Sequence, residues 1–299
     1  MMAIRPCAAI LLLLVCASIL PGQVAKVANP AAAPPNILLL VHQEILPGRA
    51  GDRQRLETNI SRACDRLDAA SFWIHLQSLT GPRETVFFDP FESFEHLEQS
   101  DAYWRQFYAA HPDLARVKDE IDALVGREHT IVAVRRDDVG YLADTIDLSE
   151  ARFMRILEVR VFPGHENDFV EALRILADVN TKIKADTPWL VYQVNLGMTS
   201  PSFLILVPMS ELGQNDDLLF WRDNLLSADG EEGTERLEQI ARESYASTET
   251  NLYAVKPEMS HISKEFAVGD ADFWRHKPDP NTRPETRPLA KPAVNPSRK

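Results

Sequence analysis

Apolar and polar residues follow six successive patterns along the chain, and the same order of patterns occurs twice. The first copy opens with an extended apolar run at 37–46, and a Pro-Gly pair follows at 47–48. The second copy opens with a similar run at 153–162, again followed by Pro-Gly at 163–164. An apolar run that ends at such a pair is typical of a strand leading into a turn. Each copy is therefore predicted to begin with a strand.

A helix, a hairpin, a second helix and a last strand follow in each copy. The helical periodicity rests on apolar residues three or four positions apart: Leu56, Ile60, Ala63 and Leu67, then Phe169, Leu173, Leu176 and Ile183. The segments "SFWIHLQSL" and "PWLVYQVNL" alternate and are rich in aromatic and branched residues, and each precedes a short turn and another extended run. Two such runs predict a hairpin. The order in both copies is β-α-β-β-α-β.

This order is that of the ferredoxin-like motif, in which both helices cover one face of a four-stranded antiparallel sheet. The uncovered face must be buried, and a second copy in the same chain can cover it. We therefore predict an α+β fold with two tandem ferredoxin-like repeats, at 36–140 and 152–262, joined by a linker at 141–151. The repeats are expected to pack sheet to sheet as an intrachain dimeric α/β barrel.

The two ends of the chain differ from this pattern. Residues 1–28 contain Arg5, then an apolar run from Ala8 to Leu20, then small residues, which is the order of a secretory signal peptide. Residues 263–299 are predicted to be a proline-rich basic tail that is largely disordered. No other segment is long and apolar enough to span a bilayer. The protein is therefore expected to be secreted or periplasmic.

Composition narrows the class of partner. The chain has 299 residues, 45% of them hydrophobic and 25% charged, which is ordinary for a globular protein. Its formal net charge of −12 argues against a nucleic-acid partner, because phosphates are neutralised by clustered Lys and Arg. Of three cysteines, only Cys64 lies beyond the signal segment. No intrachain disulfide is expected.

The duplicated order, with Pro-Gly after the first strand and an amphipathic helix after that, resembles the dimeric α/β-barrel superfamily. Within it, the pattern is similar to the NIPSNAP and antibiotic-biosynthesis-monooxygenase branches. The resemblance covers roughly residues 36–136 and 152–257. It implies a range of activities, since members include monooxygenases, haem-degrading enzymes, haem peroxidases, chlorite dismutases and proteins of unknown activity. Fold resemblance therefore selects no single reaction.

Polar side chains recur on the first and second strands of each copy. Alternation along a strand sends successive side chains to opposite faces, and we expect the polar set to point away from the helices, into the space between the sheets. These candidate ligand-binding residues are His42, Glu44, His75, Gln77, Glu158, Arg160, Gln193 and Asn195. A shift of one residue in the second strands would turn their side chains to the other face.

Three interpretations of this polar set stay open. It could form a hydrogen-bonded network, with Glu44 paired to Arg160 and Glu158 to His42. It could line a cavity that binds a small molecule. His42, Glu44 and His75 are also the ligand types of a two-histidine, one-carboxylate metal centre. Because Arg160 would repel a cation there, no metal site is predicted.

The function predicted from these observations is a secreted protein that binds a small molecule between the two sheets without catalysis. The alternatives are a monooxygenase-like or haem-handling oxidoreductase and a purely structural module. No catalytic motif is present, so the enzyme class is undecided. No cofactor is predicted; haem is a possible variant, but neither His42 nor His75 is assigned as its ligand. The only expected partner is the small molecule, with no nucleic acid and no membrane span, in a monomeric pseudo-dimer or a homo-oligomer.

Overall fold

The structure, a computed structural model, describes residues 32–275, which contain eight strands and six α-helices, with short 3₁₀ helices between some of them. The strands are β1 (Ile37–Ile45), β2 (Ile74–Ser78), β3 (Glu84–Phe91), β4 (Val125–Arg135), β5 (Phe153–Val161), β6 (Leu190–Leu196), β7 (Ser202–Met209) and β8 (Tyr245–Val255). The helices are α1 (Ala50–Leu67), α2 (Phe94–Ala110), α3 (Pro112–Asp122), α4 (Glu166–Ile183), α5 (Trp221–Ser244) and α6 (Ala271–Arg275). The predicted signal segment, 1–28, lies outside the described residues.

All eight strands belong to one closed antiparallel barrel, in the order β1-β3-β2-β8-β5-β7-β6-β4. The prediction of two tandem ferredoxin-like repeats packed sheet to sheet is therefore wrong, although the barrel with outer helices belongs to the general dimeric α/β-barrel fold class. Two seams overturn that prediction: β2 pairs with β8, and β4 pairs with β6. These pairings give hydrogen-bond partners to the N–H and C=O groups of strands that would otherwise lie at a sheet edge. The two halves therefore join edge to edge and do not stack as separate sheets.

The inside of the barrel is apolar over most of its length. Every strand contributes side chains to one buried cluster, and the members from the strands include Leu38, Leu76, Phe88, Ile131, Ile156, Tyr192, Leu204 and Tyr253. Because the barrel is closed, each side chain that points inward is enclosed by side chains from the opposite wall. The axis of the barrel is thus a packed core.

One end of the barrel is closed by segments outside the strands. The predicted linker contributes Leu148 and Ala151 to the apolar cluster, and the chain after β8 contributes Phe266 and Trp274. The indole Nε1 of Trp274 donates to the carbonyl of Ser149 over 2.7 Å. The first residues of the predicted tail, 263–275, therefore form a lid of short helices, while residues 276–299 lie outside the described part.

The helices pack against the outside of the barrel. Helix α1 follows the predicted Pro-Gly turn, where Gly48 has a φ of +78°, a conformation that glycine adopts without strain. Ser93 is the N-cap of α2, and its Oγ accepts from the His96 N–H. Within residues 32–275, none of the helices combines the length and the apolar character that crossing a bilayer requires.

We predict that Gly197→Ala destabilises the protein much more than Gly164→Ala. Both glycines have a φ of +92°, but a Cβ at Gly164 would meet nothing within 4 Å, whereas one at Gly197 would overlap the Thr130 carbonyl in β4. The left-handed backbone should cost each variant about 1–2 kcal/mol, and overlap at the β4–β6 seam should add at least about 2 kcal/mol more. Urea unfolding of both variants measures the difference. Equal losses would contradict the seam.

Candidate functional site

A cavity of about 780 Å³ lies between the outer face of the first-half sheet and helices α1, α2 and α3. Its volume falls in the range of small-molecule sites, roughly 300–1,000 Å³. Strands β1 and β3 and the Trp73 position beside β2 supply the floor, and the three helices supply the roof. The cavity is therefore outside the barrel, between sheet and helices, and not between two sheets.

Aromatic side chains form the apolar wall of the cavity. Trp73 lies next to Phe87 on the outer face and packs edge-on against Trp104 of α2, with ring centroids 5.7 Å apart. Trp104 in turn stacks on Tyr108, one helical turn later, at 5.8 Å. Helix α2 places these two rings on one side because residues four apart share a helix face. The wall suits a flat apolar group.

Arg53 brings a buried positive charge to the cavity. It lies on α1 one turn before Glu57, is only 1% exposed, and its Nη2 is 2.8 Å from Glu57 Oε1. The same Nη2 donates to Gln43 Oε1 of β1. Burial raises the pKa of the Glu57 carboxyl, and the Arg53 charge opposes that shift. The Nε and Nη1 of Arg53 have no hydrogen-bond partner among the described residues, although buried donors normally do.

Asp89 adds a carboxyl to the cavity from the outer face of β3. Its Oδ1 is buried and has no hydrogen-bond partner among residues 32–275. Burial raises the pKa of this carboxyl to about 8, because an ionised group loses its hydration there. At neutral pH the group is therefore largely protonated, and it can donate as well as accept a hydrogen bond.

His75 lies on the same outer face, directly opposite Phe87 in the β2–β3 pairing. Its ring meets the Phe87 ring edge-on at 5.1 Å, and neither ring nitrogen has a hydrogen-bond partner in the described chain. Burial, with the charges of Arg53 and Lys256, holds the pKa of His75 well below its usual value. The imidazole is therefore neutral. The cavity region thus collects several polar groups that the described protein leaves unsatisfied.

Half of the predicted site residues face the inside of the barrel as expected. His42, Glu44, Glu158 and Arg160 alternate with outward residues of β1 and β5, and they lie near the open end of the barrel. Their predicted partners are different, however. His42 contacts Glu84 at 3.3 Å, and Glu44 is 3.9 Å from Arg127, while Arg160 is exposed.

The other half of the predicted set, His75, Gln77, Gln193 and Asn195, faces the opposite way. In β2 the inward residues are Ile74 and Leu76, and in β6 they are Leu190, Tyr192 and Val194. The expected orientation was wrong because the core of the closed barrel takes the purely apolar set of β2 and of β6, which turns the polar set of these two strands outward.

Two consequences follow for the predicted chemistry. His42 and His75 lie on opposite faces of the sheet, so the metal centre of His42, Glu44 and His75 cannot form. Gln193 accepts from Arg136 over 3.0 Å at the surface of the second half, and it lies apart from the first-half cavity.

The sequence analysis did not select Arg53 and Asp89, although their positions in the apolar pattern could have identified them. Arg53 falls three residues before Leu56 on the apolar stripe of α1, and Asp89 shares the outer face of β3 with Phe87.

The equivalent space in the second half is filled by apolar side chains. Phe169 of α4 stacks on Phe203 of β7 with centroids 4.5 Å apart, and Leu173, Val191 and Val207 pack around them. The two halves share their element order, so the difference lies in side chains and not in backbone plan. The first half holds the cavity because charged and aromatic residues replace this packing.

No protein-family model and no curated protein matches the chain. Solved structures do match in outline, among them a monooxygenase-like protein from Fusobacterium nucleatum (10% identity, TM-score 0.49, 75% of this chain and 93% of that one). A haem-binding protein from Thermus thermophilus matches at 9% identity and a TM-score of 0.42, over 78% and 96% of the two chains. Chlorite dismutase from Candidatus Nitrospira defluvii matches at 8% and 0.43, over 75% and 92%. No residue role is transferred from them.

We predict that Asp89→Asn makes the protein more stable at pH 8 but not at pH 4. The pKa of Asp89 is raised to about 8 in the folded state and is about 3.9 when unfolded. Its contribution is thus fully present below about pH 4 and is lost as pH rises towards 8. Thermal unfolding midpoints across this range test the prediction. The exposed Asp119→Asn is the control, and parallel curves for Asp89→Asn and the parent would contradict it.

Proposed function

We propose that the protein binds a small, flat, amphipathic molecule in the cavity between the first-half sheet and helices α1–α3. The observation that carries this proposal is that Arg53 Nε and Nη1 and Asp89 Oδ1, buried around one cavity, have no hydrogen-bond partner among the described residues. Unsatisfied buried polar groups are costly, and a ligand that satisfies them would recover that free energy.

The chemistry of the lining indicates the class of ligand. Trp73, Phe87, Trp104 and Tyr108 offer aromatic faces to a flat apolar body. The Arg53 charge is already compensated by Glu57, so its spare N–H groups call for neutral acceptor oxygens and not for a second carboxylate. The neutral Asp89 carboxyl can donate to a further oxygen. An aromatic ketone or phenol meets these requirements.

Haem, which the sequence analysis kept as a variant, needs an axial ligand from the protein. No histidine is found among the described residues that line the cavity, and His75 lies beside Phe87 outside that lining. The residues therefore do not fit a haem bound through histidine here. An oxidoreductase acting on the bound aromatic molecule remains the alternative function, and it would use the same cavity.

The proposal also includes the family branch and the cellular location of the protein. Membership in the NIPSNAP and antibiotic-biosynthesis-monooxygenase branches is supported by the Pro-Gly turn after β1 and after β5, where Gly48 and Gly164 both have positive φ. Secretion, or a periplasmic location, is supported by the signal-type pattern of residues 1–28.

We predict that acetonaphthone, an aromatic ketone, binds the cavity at least about tenfold more tightly than ethylnaphthalene, which has the same apolar body without an acceptor. A hydrogen bond to a charged donor contributes about 1.5–3 kcal/mol. Quenching of tryptophan fluorescence, to which Trp73 and Trp104 contribute, gives both affinities. In the double variant Arg53→Met/Glu57→Gln, which leaves no unpaired buried charge, the preference should disappear.

The matched control is Arg236→Met/Glu171→Gln, which removes an ion pair of 2.9 Å between α5 and α4 in the second half. It should keep the preference for the ketone. Circular dichroism of both double variants checks that they are folded. Equal binding of the two probes to the parent protein, or an unchanged preference in Arg53→Met/Glu57→Gln, would overturn the proposed function.

A further inference from the structure

The open end of the barrel carries two histidines and two carboxylates at equivalent positions of the two halves. His42 of β1 and His129 of β4 are directly paired across strands, with stacked rings 4.5 Å apart. At the matching positions of the second half, Glu158 of β5 is paired with Glu249 of β8. All four side chains lie on the inner face of the barrel, above its apolar core. We name this group, with Glu84, the barrel mouth.

Glu84 determines which nitrogen of His42 carries the proton. Glu84 Oε1 lies 3.3 Å from His42 Nδ1 and accepts a hydrogen bond of 2.7 Å from the Tyr253 hydroxyl. Burial acts to raise the pKa of Glu84, but the hydrogen bonds from His42 and Tyr253 outweigh it and keep the pKa below its usual value. The carboxylate is ionised and can only accept. A His42 ring that carries a single proton therefore carries it on Nδ1, which donates to Glu84, and its Nε2 presents a lone pair.

The lone pair on His42 Nε2 is buried and unsatisfied. His42 is 2% exposed, and Nε2 has no hydrogen-bond partner among the described residues. Below it lies the apolar core, which offers no donor. Glu158, across the mouth, is close enough for the two groups to interact electrostatically, but a carboxylate cannot donate to Nε2. The site therefore lacks a hydrogen-bond donor.

Neither Glu158 nor Glu249 forms an ion pair within residues 32–275, although Asn251 donates to Glu249 over 2.8 Å and the exposed Arg160 lies on the same inner face. Glu158 and Glu249 face each other directly across two strands, an arrangement that is destabilising for like charges. Burial raises the pKa of Glu158, the His42 charge lowers it, and the charges of Glu249 and Glu84 raise it. Within the mouth, His42 and Glu84 are buried, whereas Glu249 and His129 are exposed at the rim.

We propose that the barrel mouth binds the primary ammonium group of a small organic amine. Such a group supplies both missing properties at once, since its N–H groups can donate to His42 Nε2 and its charge compensates Glu158 and Glu249. A metal ion suits the mouth less well, because residues 32–275 contain no group of three His, Cys, Asp or Glu side chains placed to hold one. The site lies inside the barrel, on the other face of the sheet from the proposed cavity, and is independent of it.

Isothermal titration calorimetry with butylammonium tests the proposal, with tetramethylammonium as the probe that keeps the charge but has no N–H. Butylammonium should bind saturably, at least about tenfold more tightly than tetramethylammonium. Glu158→Gln should weaken butylammonium binding at least about tenfold, while Glu235→Gln, an exposed helix position with the same change in charge, should leave it unchanged. His42→Phe should remove the preference for butylammonium over tetramethylammonium.

Thermal unfolding of each variant confirms that it is folded before titration. The proposal fails if butylammonium does not bind the parent protein, if tetramethylammonium binds equally well, or if Glu158→Gln and Glu235→Gln bind alike. Tighter binding of Mg²⁺ or Ca²⁺ than of butylammonium would also overturn it. Acetonaphthone should bind normally to Glu158→Gln, so failure at the mouth would leave the cavity function intact.

Discussion

Closure of the barrel at the β2–β8 and β4–β6 seams is the constraint on which the rest of the structure depends. The two seams satisfy the backbone groups of four strands that would otherwise be edges. They also convert the inner faces of two half-sheets into one enclosed space. That space is filled by side chains from all eight strands. Polar groups inside the barrel are then those near its ends, such as the Tyr192 hydroxyl, which donates to the Pro35 carbonyl, and His42, which contacts Glu84.

The unsatisfied polar groups described above therefore lie in two places, the first-half cavity and the open end of the barrel. On the outer side of the first half, Arg53 of α1 and Asp89 of β3 border a space between helices and sheet that the side chains do not fill. At the open end, His42 and Glu84 lie where the apolar core stops. Both groups keep buried polar atoms that have no hydrogen-bond partner within residues 32–275, which costs stability. The second half shows that the same backbone plan can pack tightly, through Phe169 and Phe203, so the cost in the first half is specific to its side chains.

The two proposed sites differ in the ligand that they require. The cavity combines aromatic walls with donors whose charge is already compensated, so acceptor oxygens on a neutral ring system suit it. The mouth combines a bare imidazole lone pair with facing carboxylates, so a cationic donor suits it. The strands β1, β2 and β3 separate them, with alternate residues of one strand serving opposite sites: Gln43 lies on the cavity side and His42 on the mouth side.

The sequence by itself determined the positions of the strands and main helices, because periodicity and Pro-Gly turns are local signals. It also determined that β1 and β5 direct His42 and Glu158 inward, since their outer face is mostly apolar, with Gln43 and Arg155 as the exceptions. Only the tertiary structure decided that the halves join edge to edge, and hence which face of β2 and β6 is inside. Both faces of those strands carry large apolar residues, such as Trp73 and Ile74, so alternation alone could not choose between them. Burial inside the closed barrel determined which face of β2 and β6 points inward. The candidate site therefore lies beneath the helices and not between two sheets.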